Sequence, residues 1–126
     1  MPHLGYATVG SNDLEKAKAF FNALLAPFGI MPMFEHPSGG RVYGKGGEFF
    51  FGVLGPFDKQ PATAGNGTMI SFRCEGPEEV NAFHARALSL GAKDEGAPGH
   101  RTPQYYMSYF RDLDGNKLCA YAVLPA

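Results

Sequence analysis

Two rhythms of hydrophobic and polar positions run along this chain, and their order is repeated. Tyr6-Ala-Thr-Val9 opens with the two-residue period of a short strand. Gly10-Ser-Asn-Asp13 breaks it. Leu14, Ala17, Phe20, Phe21, Leu24 and Leu25 then recur at the spacing of one amphipathic helix. Asn12 with Glu15 three residues later reads as a capping box, Asp13 is a second good cap residue, and Pro27 and Gly29 close the helix. Ile30 to Glu35 predicts a strand, Ser38-Gly-Gly40 a turn, Arg41 to Tyr43 a short strand and Gly44-Lys-Gly-Gly47 another turn. Glu48 to Leu54, built around Phe49-Phe-Phe51, predicts a strand buried on both faces or nearly so.

Residues 55–67, rich in Gly, Pro and Ala, connect to a second passage of the same kind. Thr68 to Cys74 predicts a strand. Gly76-Pro77-Glu-Glu79 starts a helix, because Pro suits its first position and acids suit the positive end of its dipole. Val80, Phe83, Ala87 and Leu90 continue it, and Gly91 stops it. Ala92 to Asp94 begins a strand, 95–104 reads as a loop, and Tyr105 to Arg111 is a strand. Asp112-Leu-Asp-Gly115 then turns the chain into a last strand, Lys117 to Val123. A shift of 63 lays Tyr6 on Met69, Thr8-Val9 on Ser71-Phe72, and Ala19-Phe20-Phe21 on Ala82-Phe83-His84. The repeat is one of order more than of letters. Each half is a βαβββ unit too small to cover both faces of its own sheet. The expectation is one α+β domain over residues 1–126, with module one at about 1–57 and module two at about 66–126.

The composition changes this picture little. A net charge of −1 and the absence of any Lys/Arg cluster argue against nucleic acid or an anionic membrane as partner. No apolar run approaches the ~20 residues that cross a bilayer, and no basic-then-apolar leader opens the chain. The cytoplasm is therefore expected, with Cys74 and Cys119 as free thiols.

Three motifs standing in register carry a resemblance. Thr8-Val-Gly-Ser-Asn-Asp-Leu-Glu-Lys-Ala-Lys-Ala-Phe-Phe21 followed by Leu25-Ala-Pro-Phe-Gly29, Gly67-Thr-Met-Ile-Ser-Phe72, and Arg111-Asp-Leu-Asp-Gly-Asn-Lys-Leu118 resemble the opening, the second-module start and the closing hairpin of the glyoxalase/bleomycin-resistance/extradiol-dioxygenase (vicinal oxygen chelate) superfamily. The resemblance spans essentially the whole chain. It implies paired βαβββ modules whose curved mixed sheets enclose a cleft, and often a homodimer. In metal-dependent members, four strands each give one ligand to a divalent ion. Two are often His near the start of each module's first strand, and two are often Glu in each module's last strand.

At those places this chain has Tyr6, Met69, Cys119 and a residue near Phe51, one or two positions either way. No carboxylate or imidazole lies between Phe49 and Phe57, or between Lys117 and Ala126. Aromatic, thioether and thiol groups do not make a hard-metal site; a Tyr–Met–Cys trio could in principle hold copper, but Met and Cys are far more often core filler. The reading is thus no metal and no cofactor, and an apolar pocket suited to a small organic molecule.

His84 and His36 read as ordinary surface histidines, and His100 lies in the 95–104 loop. Arg101 in that loop can clamp a carboxylate or phosphate, against the plainer role of satisfying loop carbonyls. Alternation puts Tyr105 and Tyr109 on one face of their strand and Tyr106 on the other, and Tyr106 is taken as the cleft residue. Cys119 as a nucleophile needs a cation to lower its pKa, and none stands beside it in sequence. No Ser–His–Asp set, phosphate loop or dinucleotide fingerprint is present. The expected ligand-contacting set is Tyr6, Phe51, Met69, Arg101, Tyr106 and Cys119. Three functions compete: a metal-free binder of a small organic, toxic or antibiotic molecule; a divergent lyase, isomerase or dioxygenase-like enzyme; and a structural or partner-binding homodimer with a filled pocket. A net charge of −1 gives no support for a cationic glycopeptide as the ligand.

Overall fold

The computed structural model describes residues 1–126 and forms two compact units, Met1–Ala64 and Gly65–Ala126. The first contains β1 (Ala7–Gly10), α1 (Leu14–Leu25), a 3-10 turn (Ala26–Phe28), β2 (Met31–Glu35), β3 (Arg41–Lys45) and β4 (Glu48–Leu54). Its sheet has the order β1-β4-β3-β2. The second contains β5 (Ile70–Arg73), α2 (Pro77–Ser89), β6 (Lys93–His100), β7 (Tyr105–Arg111) and β8 (Lys117–Val123), in the order β5-β8-β7-β6. In each unit the first strand pairs parallel with the last and the other neighbours are antiparallel. Each is therefore a mixed four-stranded sheet with one helix, an α+β architecture.

Each helix covers one face of its own sheet. In the first module Phe21 packs on Phe51 and Tyr43, with ring centroids 4.9 and 6.4 Å away. The Tyr43 hydroxyl reaches the Asn22 side chain at 2.8 Å, and burial pushes this phenol up to about 12, so it stays neutral. In the second, Phe83 stacks between Phe72 and Phe110 at 5.4 and 6.1 Å. The start of α1 differs from the capping-box expectation. Asp13 is the N-cap and accepts from the Lys16 amide, while Ser11 Oγ accepts from the Asp13 amide. Asn12 instead pairs twice with the Ala62 backbone, at 2.7 and 3.0 Å, and ties the connector to the first module. Gly29 ends the helical segment with φ +80, where a Cβ would be strained.

Three further expectations are corrected. Residues 93–100 form a full edge strand, β6, although 95–104 reads as a loop; its register shifts at Gly96 and again before Gly99 hide the alternation. His84 is not a surface residue: it is 3% exposed, edge-on to Phe110, with Nε2 3.2 Å from Asp94 Oδ1 but poorly aligned for a hydrogen bond. β4 is buried only over Phe51–Val53, and its first residues are exposed. The cause is a bulge. Tyr43 pairs with Phe51, but Gly44 pairs with Phe49, so Phe50 is an extra residue. Phe51 points under α1, while Phe49 lies with Phe34 on the face away from the helix.

This division of labour predicts contrasting losses of stability. Phe51→Ala should lower the unfolding free energy by about 3–5 kcal/mol, whereas Phe49→Ala at a 41% exposed position should cost well under half of that. Urea titration checks the pair, and equal losses would contradict the assigned faces.

Candidate functional site on the helix-distal sheet faces

The parallel register aligns the two modules position by position. Ala7 faces Phe51 and Ile70 faces Leu118, so Phe51 corresponds to Leu118 and both sit in helix-covered cores. One step on, Thr8 faces Gly52 and Ser71 faces Cys119. These four positions point away from the helices. The first-module counterpart of Cys119 is thus Gly52. Phe51, expected to contact ligand, is instead 1% exposed beneath Phe21, because a one-residue step in a strand reverses its face.

On the helix-distal face of the first sheet a Cβ at Gly52 would lie 3.4–3.5 Å from Thr8, Val42 and Leu54 side-chain carbons, which places these side chains around that glycine. Toward the other end Tyr6 and Phe34 both pack edge-on against Phe49, at 5.3 and 5.5 Å. Tyr6 is 59% exposed. This face carries apolar and aromatic carbon with the Thr8 side chain and the Tyr6 phenol among it. An open groove continues from Thr8 and Leu54 past Ser11 and His36 to the connector around Phe57. His36 and Ser38 bond each other at 2.9 Å, and Ser38 Oγ accepts from the Gly55 amide, which shapes its wall. The sequence reading treats 55–67 only as a connector and misses this groove; Asn12, polar and unneeded as a cap, is the signal that the segment is held down.

The helix-distal face of the second sheet has different chemistry. Ser71, Cys119 and Tyr109 lie side by side across β5, β8 and β7. Cys119 is fully buried, with Ser71 opposite it on β5. Burial pushes this thiol up, despite the opposing pull of Ser71 and of the Arg101 and Lys117 charges. Cys74 is likewise pushed up, to about 11. Arg101 and Lys117 each stand over the Tyr109 ring, at 5.3 and 5.1 Å from its centroid. Glu95 is engaged by Arg111 Nε at 2.6 Å, which holds its carboxyl below the usual range. Met69 precedes β5, as Tyr6 precedes β1, and is 39% exposed. Tyr106 does not belong here. Its hydroxyl donates to Asn81 Oδ1 on α2 at 2.8 Å, so its ring lies on the helix side and Tyr109 takes the helix-distal place.

A metal does not fit the places where metal-dependent relatives keep their ligands. They hold Tyr6, Gly52, Met69 and a thiol kept protonated by burial. That set has no imidazole, no carboxylate and, at Gly52, no side chain, whereas hard divalent ions take N and O donors. No group of three or more His, Cys, Asp or Glu side chains is placed to hold an ion.

Comparison with known proteins agrees with the fold. The chain belongs to the glyoxalase/bleomycin resistance protein/dioxygenase superfamily, whose family model matches residues 3–120. Among solved structures, a glyoxalase/bleomycin resistance protein from Albidiferax ferrireducens T118 is 40% identical, covers 94% of this chain and 96% of its own, and superposes with a TM-score of 0.84. A fosfomycin resistance protein from Listeria monocytogenes is 20% identical (97% and 93% covered, TM-score 0.71). A lactoylglutathione lyase from Agrobacterium tumefaciens is 22% identical (95% and 92% covered, TM-score 0.69). The last two share the fold. Comparison with curated proteins gives no match.

The two thiols supply a check on the site's chemistry. Both are buried and both need a pH above that of an ordinary thiol, about 8.5, to ionise. Native protein at pH 8 should therefore resist iodoacetamide, with both cysteines labelled only after unfolding, as read by intact-protein mass spectrometry. Rapid native labelling of Cys119 would mean that the thiol is reactive.

Proposed function

We propose that this protein binds a small organic molecule on the helix-distal faces of its sheets without using a divalent metal. The observation that carries the reading is the donor set at the four places where relatives hold an ion: Tyr6, Gly52, Met69 and Cys119. Apolar and aromatic groups there suit desolvation of carbon, with a few polar groups to orient the ligand. Exposed Tyr6, Phe34 and Phe49 supply rings that already pack edge-on, both Tyr6 and Phe34 against Phe49, and so lose little freedom on binding. A nucleophilic role for Cys119 is disfavoured by the burial that keeps its thiol protonated. The two free thiols suit a reducing compartment, and the superfamily resemblance supports a homodimer.

Thermal-shift screening of a metabolite and antibiotic library, with chelator present, tests this directly. A binder should be found, and its affinity should fall by about tenfold or more, about 1.4 kcal/mol, in Tyr6→Ala or Phe49→Ala. A hit whose affinity neither variant changes, or hits that appear only when a metal is added, would overturn the proposal.

A further inference from the structure

We infer that the helix-distal face of the second sheet holds an oxyanion: Arg101 and Lys117, converging on Tyr109, take the carboxylate or phosphonate of the bound organic molecule. The inference rests on the reading of this face as part of a ligand site and deepens it, by naming the charge that the ligand must carry.

The first observation is that neither cation stands within ion-pair distance of a carboxylate. Arg111 pairs with Glu95, Asp94 lies beside His84, and no carboxylate stands within 4.0 Å of Arg101 or Lys117. Glu95 is within electrostatic reach of Lys117, but its carboxylate is already bonded by Arg111. By alternation from Ser71 and Tyr109, Arg73 and Arg111 also belong to this face. A chain of net charge −1 has therefore gathered cations on one sheet face with one carboxylate among them. Stacking on Tyr109 accounts for one cation at such a place; it does not account for two like charges brought to the same ring.

The second observation is that Arg101 is held in position. Its Nη1 donates to Gly99 O at 3.1 Å and its Nη2 to Ala97 O at 2.9 Å. A guanidinium has five N–H donors, so Nε–H and one proton on each Nη remain uncommitted. Two glycines make this path possible. A Cβ at Gly96 would lie 2.9 Å from Tyr109 Cδ2 and 3.2 Å from Arg101 Nη2, and one at Gly99 would lie 3.3 Å from Nη1. The arginine thus lies along β6 with its planar fork fixed before any ligand arrives, the arrangement that suits bidentate oxyanion recognition. Lys117 stands two residues before Cys119 on β8 and so shares its face, and Arg101 meets it over the Tyr109 ring. Cys119 and Ser71 form its uncharged floor.

Benzoate and its neutral near-isostere benzamide are the probes, titrated into the whole protein at low ionic strength by ligand-observed NMR. Benzoate is expected to bind about tenfold or more tightly than benzamide, and added chloride should weaken benzoate alone. Phenylphosphonate distinguishes the headgroups: binding of either anion supports the inference, and the tighter one names the preferred oxyanion. The Arg101→Gln, Lys117→Gln double variant should lose the preference while retaining the circular dichroism of the wild type. If that variant fails to fold, the chloride dependence of the wild type decides. Equal, salt-independent affinities for benzoate and benzamide would overturn the oxyanion and leave the organic-ligand reading standing. Failure of both anions to bind would overturn the oxyanion too, and the library screen would then judge the broader reading separately.

Discussion

Everything distinctive about this protein depends on the parallel pairing of each module's first and last strands, β1 with β4 and β5 with β8. Parallel neighbours cannot be joined by a tight turn, so the chain must cross over, and here it does so through a helix and two further strands. The crossing helix covers one sheet face and leaves the other without a covering helix of its own. The register then decides which side chains meet which environment. With Ala7 opposite Phe51 and Ile70 opposite Leu118, large apolar groups go under the helices. Thr8, Gly52, Ser71 and Cys119 go to the far side. A slip of one residue would exchange the two sets and would put Phe51 where Gly52 now stands.

Much of this was legible in the sequence. The apolar spacing of Leu14 to Leu25 marks α1, and Pro77 with two acids marks the start of α2. The repeat, visible as Tyr6 over Met69, reappears in strands that begin at Ala7 and Ile70. What was not legible shares one cause: irregular backbone that breaks a simple period. The bulge in β4 moves Phe49 to a different face from Phe51, although the two stand an even number of residues apart. The shifts in β6 make a strand read as a loop. His84 was misjudged for another reason, since the four apolar positions counted on α2 define a stripe narrower than the face that the helix buries. Tyr106 and Tyr109 were correctly set on opposite faces by alternation. Only the hydrogen bond from Tyr106 to Asn81 says which of them faces α2.

The two helix-distal faces are chemically unlike, and this follows from divergence of the repeat. In the first module the far side carries Gly52, Val42 and aromatic rings. In the second the corresponding strands carry a thiol, a hydroxyl, Tyr109 and cations. In this account the duplication serves as a scaffold for organic recognition, with the metal positions of the relatives given over to carbon, sulfur and a glycine.

The proposed exchange of metal chemistry for organic recognition is most directly tested by equilibrium dialysis of the purified protein against Mn2+, Ni2+, Zn2+ and Fe2+, with bound metal read by elemental analysis. The account predicts no retention of any ion in stoichiometric amount, and the same trace level in a Tyr6→Ala, Cys119→Ala variant. Stoichiometric retention of one ion by the wild type and its loss in that variant would contradict the account, because it would place a working metal centre at the positions assigned here to the organic ligand.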